Sequence, residues 1–282
     1  MTGTPVPRIL VFDSGIGGLS IAASIHQSLP GAELVYLADN AGFPYGEQPE
    51  AVVMDRCTAL VMDTLARVPC DIIVIACNTA STVVLPRLRA MTRVPVVGVV
   101  PAVKPAAAIT RNQRIGVLAT PATVRRPYLD ELIQEFASHC QVARIGHPGL
   151  VQWVENSVGG APVPRNELAQ AVAGFRTAGV DTVVLGCTHY PLLLAPLKEV
   201  LPEVSFWVDS GAAIARRTAF LLEQQGKAAG ERALPGAAVR MALFSGPAPR
   251  ALAGFMTGLR LQPARVLGHW PASFLATEAG SA

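Results

Sequence analysis

The 282-residue sequence has few charged residues and no long uninterrupted hydrophobic run. Charged residues make up 15% of the chain and hydrophobic residues 51%, which excludes a disordered protein. A membrane-spanning helix needs about 20 continuous apolar residues. The most apolar stretches, residues 94–103 and 182–197, are short or interrupted by proline and polar residues. The N-terminus also lacks the pattern of a secretory signal, so we expect a cytoplasmic protein without membrane contact.

Basic residues are not clustered. The 23 lysines and arginines nearly balance 20 acidic residues, giving a net charge of +3. Because nucleic-acid recognition needs a clustered basic patch, no nucleic-acid partner is expected. The only lysines are Lys104, Lys198 and Lys227, and none lies beside the motifs described below. A pyridoxal enzyme, which needs a lysine for its cofactor, is therefore not indicated.

The five cysteines include no C-x-x-C pair, and their odd number argues against a disulfide framework. Polar residues directly follow only Cys77 and Cys187 in a way that suggests a working thiol. His189 is the only histidine near either of them, so no metal site is expected. The other cysteines are predicted to be buried and structural: Cys57, Cys70 and Cys140.

Short apolar runs that alternate with helical stretches predict a doubly wound α/β fold. The runs Arg8–Phe12, Glu33–Ala38 and Asp71–Ala76 lack polar alternation, which is typical of parallel strands covered on both faces. A glycine-rich turn follows the first run and leads into a helix near Leu19–Leu29. Helical periodicity is also present over Pro49–Arg67.

The second half of the sequence repeats the first. Arg114–Leu118 matches Arg8–Phe12, and Asp181–Cys187 matches Asp71–Cys77. In the second pair an aspartate opens each run, apolar residues follow, and a small residue precedes the cysteine. The duplication predicts two pseudo-symmetric lobes with parallel sheets. Each would carry one cysteine at the carboxyl edge of its sheet, where open α/β sheets bind ligands.

We place the first lobe in residues 1–102 and 208–282, with Cys77, and the second in residues 103–207, with Cys187. The tail is expected to return to the first lobe, with a strand at Ala238–Phe244 and a helix at Pro249–Leu259. Gly226–Gly236 is predicted to be a surface loop. The residues from Pro271 onward are predicted to be a frayed end.

Cys77 and Cys187 each end an apolar run and precede small polar residues, Asn78-Thr79 and Thr188-His189. A helix commonly begins at such a place, and its first amides and dipole stabilise a thiolate or hold a carboxylate. Either cysteine alone could equally be inert and buried. Two equivalent thiols facing one cleft suit removal of a proton from one face of a carbon and its return to the other. A Cys–His hydrolase would leave the second cysteine unexplained.

Phe12–Ser20 is similar to a dinucleotide-binding loop, but Ser20 replaces the last glycine of G-x-G-x-x-G, which weakens that interpretation. Alternatively, Asp13 and Ser14 face the cleft. Asp13 could then act on a thiol or hold a substrate ammonium, or it could cap the next helix. The Pro-Tyr-Gly within Asp39–Glu47 is by itself most typical of a turn.

Taken in order, five segments resemble the glutamate racemases of the cofactor-independent aspartate/glutamate racemase superfamily. Aspartate racemases share the residues around the two cysteines but usually lack Pro-Tyr-Gly and Cys-Thr-His-Tyr-Pro. The likeness extends over about 200 residues. The segments are residues 12–20, 38–47, 76–81, 185–193 and 208–211.

This resemblance implies racemisation of L-glutamate to D-glutamate without metal or cofactor, for peptidoglycan synthesis, at a site between two α/β lobes. Cys77 would serve the D-enantiomer and Cys187 the L-enantiomer, assisted by Asp13 and His189. Glu155 would be a further acid, although a surface role on a helix is an open alternative. The residues implied to line the glutamate site are Asp13, Ser14, Tyr45, Gly46, Asn78, Thr79, Thr188 and His189.

Some alternatives stay open. The same chemistry could act on aspartate or another carboxylate. A cysteine-dependent hydrolase or decarboxylase would need only one of the two thiols, and a binding protein would need neither. The segment 244–247, Phe-Ser-Gly-Pro, departs from the Ser-Gly-Asp common in these racemases. The oligomeric state, including a homodimer, is also left open.

Overall fold

The structure, a computed structural model, describes residues 6–227 and 236–272. The strands are β1 (Arg8–Asp13), β2 (Glu33–Ala38), β3 (Ile72–Ile75), β4 (Val96–Gly98), β5 (Arg114–Ala119), β6 (Gln141–Gly146), β7 (Thr182–Leu185), β8 (Phe206–Val208), β9 (Val239–Phe244) and β10 (Val266–Leu267). The α-helices are α1 (Leu19–Ser28), α2 (Glu50–Arg67), α3 (Asn78–Met91), α4 (Val103–Ile109), α5 (Pro121–Val124), α6 (Pro127–Phe136), α7 (Gly149–Ser157), α8 (Arg165–Ala178), α9 (Leu194–Val200), α10 (Gly211–Gln224) and α11 (Leu252–Gly258).

The strands form two separate parallel sheets. The first has the order β10-β9-β2-β1-β3-β4 and the second the order β6-β5-β7-β8. In the first sheet β1 lies between β2 and β3, and in the second β5 lies between β6 and β7. The order β2-β1-β3-β4 is therefore repeated by β6-β5-β7-β8. The fold class predicted from the sequence, two doubly wound α/β sheets, is confirmed.

The chain divides into two compact units. One contains the described residues up to Val99 and those from Gly211 onward, and the other is Val100–Ser210. In the first unit, apolar residues of β1 and β3 pack with α2 and α3 into one core. In the second unit, β5 and β7 pack with α4 and α6. The residues of β3 and β7 are completely buried, because helices cover both faces of a parallel sheet.

The C-terminal tail adds two strands to the first sheet. β9 pairs in parallel with β2, and β10 pairs with β9. The helix predicted at Pro249–Leu259 begins only at Leu252, after a turn in which the Leu252 amide donates to the Pro249 carbonyl. The predicted loop at Gly226–Gly236 lies largely outside the described residues. So does the predicted frayed end, apart from Pro271 and Ala272.

Within residues 6–227 and 236–272, every helix is too short or too polar to cross a bilayer.

Candidate active site

In the first unit, the carboxyl ends of β1 and β3 bring Ser14 and Cys77 together. These strands are neighbours in the sheet although β2 lies between them in sequence, so they mark a topological switch point, where α/β sheets bind ligands. Ser14 Oγ lies 3.8 Å from Cys77 Sγ, and both residues are buried. The first predicted thiol therefore has a hydroxyl partner from the adjacent strand.

Cys77 caps the N-terminus of α3. Its Sγ accepts a hydrogen bond from the Ala80 amide at 3.5 Å. The helix expected from the sequence therefore begins directly after this cysteine. The positive end of the helix dipole and the capping amide both favour the thiolate form of Cys77.

Asn78 and Thr79 form the first turn of α3 and are buried beside Cys77. Asn78 Oδ1 is buried and has no hydrogen-bond partner among the described residues. Because an unsatisfied buried acceptor is costly, this oxygen is suited to receive a donor from a bound ligand.

Asp13 is completely buried at the end of β1 and accepts a hydrogen bond from the Gly15 amide at 2.9 Å. It does not cap the next helix, because α1 begins at Leu19 with Gly18 at its N-cap and no side-chain cap. A Cβ atom at Gly18 would lie 2.6 Å from Asp13 Cβ, so the glycine is needed for close packing against Asp13.

Tyr45 opens a 3₁₀ turn over Tyr45–Glu47 that contacts α3. Its side chain is buried, and its hydroxyl donates to Asp39 Oδ2 at 2.6 Å. Burial and the charge of Asp39 raise the pKa of Tyr45 far above its ordinary value. The proton of the hydroxyl is therefore used in the hydrogen bond to Asp39. The amides of Tyr45 and Gly46 are the groups that a substrate carboxylate could use, since the first amides of a helix lack an intrahelical acceptor.

Sequence reasoning did not identify Asp39 as a functional residue. It is completely buried and accepts hydrogen bonds from Tyr45, from Arg56 through two nitrogens, and from Ser245. Burial acts to raise the pKa of Asp39, but hydrogen bonds from Arg56, Ser245 and Tyr45 and the charge of Arg56 lower it overall. One feature of the sequence could have identified Asp39: it directly follows a buried strand. A carboxylate buried at that place must be paired with hydrogen-bond donors.

In the second unit, Cys187 follows β7, the strand equivalent to β3, and His189 lies beside it. Cys187 Sγ is 3.7 Å from His189 Nδ1, and His189 Nε2 is 2.7 Å from Glu155 Oε1 on α7. Burial acts to lower the pKa of His189, but its hydrogen bonds to Cys187 and Glu155 and their charges raise it well above the ordinary value. The imidazolium form is therefore favoured, and it can stabilise a Cys187 thiolate.

The helix expected directly after Cys187 is absent. A 3₁₀ turn over Tyr190–Leu193 precedes α9, and the Tyr190 amide donates to the Cys187 carbonyl. Pro191 lacks an N–H and fixes its φ, which suits this short turn. The sequence predicted a helix end beside Cys187, but the group that contacts its Sγ is His189. Thr188, the residue between the two in sequence, is buried.

The remaining cysteines behave differently. Burial raises the pKa of Cys70 to about 12 and raises that of Cys57 well above its ordinary value. Cys140, which was also predicted to be buried, is only partly buried. All five cysteines are free thiols. Across the described parts of the chain, no three His, Cys, Asp or Glu side chains are grouped so that they could hold a metal ion.

The sequence of this chain is similar to those of known racemases. The sequence pattern of the Asp/Glu/Hydantoin racemase family matches residues 18–218. A glutamate racemase of Shewanella baltica is 51% identical over 224 residues, 79% of this chain and 82% of that protein. One from Klebsiella pneumoniae is 51% identical over 223 residues, 78% of this chain and 79% of that protein.

Solved structures show the same relationship. The Escherichia coli glutamate racemase, crystallised with L-glutamate and the activator UDP-MurNAc-Ala, superposes with a TM-score of 0.85 at 43% identity, over 94% of this chain and 99% of that one. The Thermus thermophilus glutamate racemase, in complex with β-chloro-D-alanine, gives a TM-score of 0.71 at 31% identity, over 94% and 97%.

Proposed function

This chain belongs to the Asp/Glu/Hydantoin racemase family, and we propose that it interconverts L- and D-glutamate by proton transfer between the thiols of Cys77 and Cys187. It is an amino-acid racemase, and glutamate racemisation is the activity named for its relatives. The observation that carries the two-thiol proposal is the equivalence of β3 and β7. Each is followed by a buried cysteine with its own polar partner.

For L-glutamate, the Cys187 thiolate removes the α-proton, and the electron pair of the broken C–H bond stays on the substrate as a carbanion. The Cys77 thiol then donates its proton to the opposite face, which gives D-glutamate. Each turnover leaves Cys187 as a thiol and Cys77 as a thiolate, the state from which the reverse reaction starts. Both proton carriers are protein side chains, so the step needs no cofactor.

Different groups are proposed to stabilise the two thiolates. The N-terminus of α3 and the Ala80 amide stabilise Cys77, and Ser14 contacts it. His189, held by Glu155, stabilises Cys187. Asp13, Asn78, Thr79 and Thr188 are proposed to bind the substrate, and Asp13 is also proposed to assist a thiol. Asn78 Oδ1 would accept a hydrogen bond from the ammonium, and nearby amides would receive the carboxylates. Donors placed where charge develops typically provide a large share of catalysis.

The test is incubation of the purified protein with L-glutamate or D-glutamate while optical rotation is followed. Deuterium incorporation from solvent at the α-carbon provides a second readout. Either enantiomer should reach the racemic mixture with deuterium incorporated, whereas aspartate should react far more slowly. Cys140→Ser serves as the control for thiol replacement, since Cys140 is only partly buried and lies outside both half-sites. Turnover of aspartate alone, or hydrolysis of a substrate, would contradict the proposal.

The proposed cellular role is the supply of D-glutamate for peptidoglycan from the cytoplasm. A strain in which the gene is deleted should require external D-glutamate and should lose its shape and lyse without it. Growth of the deletion strain without D-glutamate, in the absence of another source of that amino acid, would contradict this role.

A further inference from the structure

A single buried carboxylate joins the C-terminal tail to the turn that carries Tyr45 and Gly46. Asp39 accepts a hydrogen bond from Tyr45 Oη at 2.6 Å and from Ser245 Oγ at 2.5 Å. Arg56 binds both carboxylate oxygens, through Nε and Nη2, each at 2.7 Å. We call Asp39, Tyr45, Arg56 and Ser245 the Asp39 junction. Its members come from three separate segments of the chain.

Ser245 contacts both the carboxylate of Asp39 and the backbone of the loop that follows it. Its hydroxyl donates to Asp39 Oδ1 and accepts from the Ala41 amide at 3.0 Å. The next residue continues the attachment, because the Gly246 amide donates to Asn40 Oδ1 at 2.8 Å. These contacts follow from the register of the sheet, in which Ala38 at the end of β2 pairs with Phe244 at the end of β9.

The junction fills the space beneath the loop that leads to Tyr45. A Cβ atom at Gly42 would lie 2.5 Å from Arg56 Nε and 2.7 Å from Asp39 Oδ2. No side chain fits there while Arg56 and Asp39 are paired. The backbone between Asp39 and Tyr45 therefore lies directly against the ion pair, and its position depends on it.

We propose that Ser245 is a positioning residue for the racemase reaction: through Asp39 and Tyr45 it fixes the place of the Tyr45–Gly46 amides. This inference rests on the proposed function and assigns the amides of Tyr45 and Gly46 to a carboxylate of the bound glutamate. Loss of the hydroxyl leaves Asp39 Oδ1 with Arg56 alone and removes the acceptor of the Ala41 amide. The turn then shifts, and its contact with the substrate weakens.

The expected effect is on substrate binding. If the turn contacts the substrate equally in the ground state and in the transition state, a displaced turn raises KM and leaves kcat largely unchanged. For Ser245→Ala we expect KM for glutamate to rise about 10-fold, since small misplacements of binding groups have effects of this order or larger. Ser245→Thr keeps the hydroxyl and should restore a KM near that of the wild type.

A matched control is a second hydrogen bond that attaches the same tail to the first unit. Thr64 Oγ1 accepts a hydrogen bond from Trp270 Nε1 at 2.9 Å and so ties the tail to α2 without touching Asp39. Thr64→Val should lower the unfolding temperature, because it removes the hydrogen bond that Trp270 Nε1 donates to Thr64, and it should keep the wild-type KM. This comparison separates the position of the turn from the general stability of the tail.

The experiment measures kcat, KM and the unfolding temperature for the wild type and these variants with both enantiomers. A raised KM in Ser245→Ala, restored in Ser245→Thr and absent in Thr64→Val, supports the inference. A wild-type KM in Ser245→Ala, or an equal rise in Thr64→Val, overturns it while the proposed function stands. A wild type that does not racemise glutamate overturns both.

If Ser245→Ala does not fold, Arg56→Lys carries the same test. Lysine keeps the charge but not the two-nitrogen pairing with Asp39. We expect this variant also to raise KM with little change in kcat, and an unchanged KM overturns the inference.

Discussion

Glu155 holds His189 by a 2.7 Å contact between its Oε1 and the imidazole Nε2, while Nδ1 of the same ring lies 3.7 Å from Cys187 Sγ. The histidine therefore lies between a carboxylate and a thiol in a buried setting. This arrangement gives the proposed function a specific electrostatic basis in the second unit, and its contribution can be measured.

Glu155→Gln should lower kcat about 10-fold, less than the roughly 10²–10⁴-fold typical of a group that transfers the proton itself, because Glu155 acts through His189. The pKa of His189 is raised in the wild type, so the imidazolium persists as pH rises and is lost only above that raised pKa. Without the charge of Glu155 this pKa falls. The alkaline decline of kcat should therefore begin at a lower pH than in the wild type, as measured in a pH–rate profile.

The control for that profile is Glu167→Gln, at an exposed position on α8. Because the two enantiomers have equal free energies, kcat/KM must fall equally in both directions in every variant. An unchanged alkaline limb in Glu155→Gln would mean that Glu155 does not act through the charge on His189.

Cys77→Ser and Cys187→Ser should each reduce racemisation at least about 10²-fold, because every turnover needs one thiolate and one thiol. The residual chemistry should be one-sided. Elimination of HCl from threo-3-chloroglutamate needs only α-proton removal and loss of chloride. Cys77→Ser should eliminate from the L-enantiomer and Cys187→Ser from the D-enantiomer. The same preference in both variants, or near-normal racemisation in either, would rule out the two-thiol scheme.

Asp13→Asn should lower kcat far more than it raises KM, because Asp13 is proposed to assist a thiol. The asparagine oxygen can still accept from the Gly15 amide, so the local fold should persist. Steady-state kinetics with Asp63→Asn, an exposed position on α2, provide the comparison. A raised KM with normal kcat would instead assign Asp13 to recognition of the substrate.

Dialysis against a chelator and then treatment with a carbonyl reagent should leave activity unchanged. In the proposed scheme thiols supply both proton-transfer groups, so neither a metal ion nor an aldehyde cofactor takes part. The rate of racemisation before and after treatment is the measurement. Loss of activity that Zn²⁺ or pyridoxal phosphate restores would contradict the scheme.

Much of the architecture could be predicted because its signal is local. Glu33–Ala38 was predicted with the bounds of β2, and the apolar runs of β1, β3 and β7 were located because buried parallel strands carry continuous apolar residues. β6 was not predicted. It is an edge strand with partly exposed residues, and its sequence mixes polar and apolar side chains.

The sequence by itself determined the two α/β sheets and, by its duplicated strand–cysteine pattern, the two thiols. Those features depend on neighbouring residues and on a repeated local pattern. The resemblance implied roles for His189 and Glu155, but only the tertiary structure decided which groups contact each thiol: Ser14 for Cys77, and His189 held by Glu155 for Cys187. The Asp39 junction shows the reason. Residues 39, 56 and 245 meet because β2 and β9 pair and α2 packs against them, and a buried carboxylate takes whichever donors the fold brings to it.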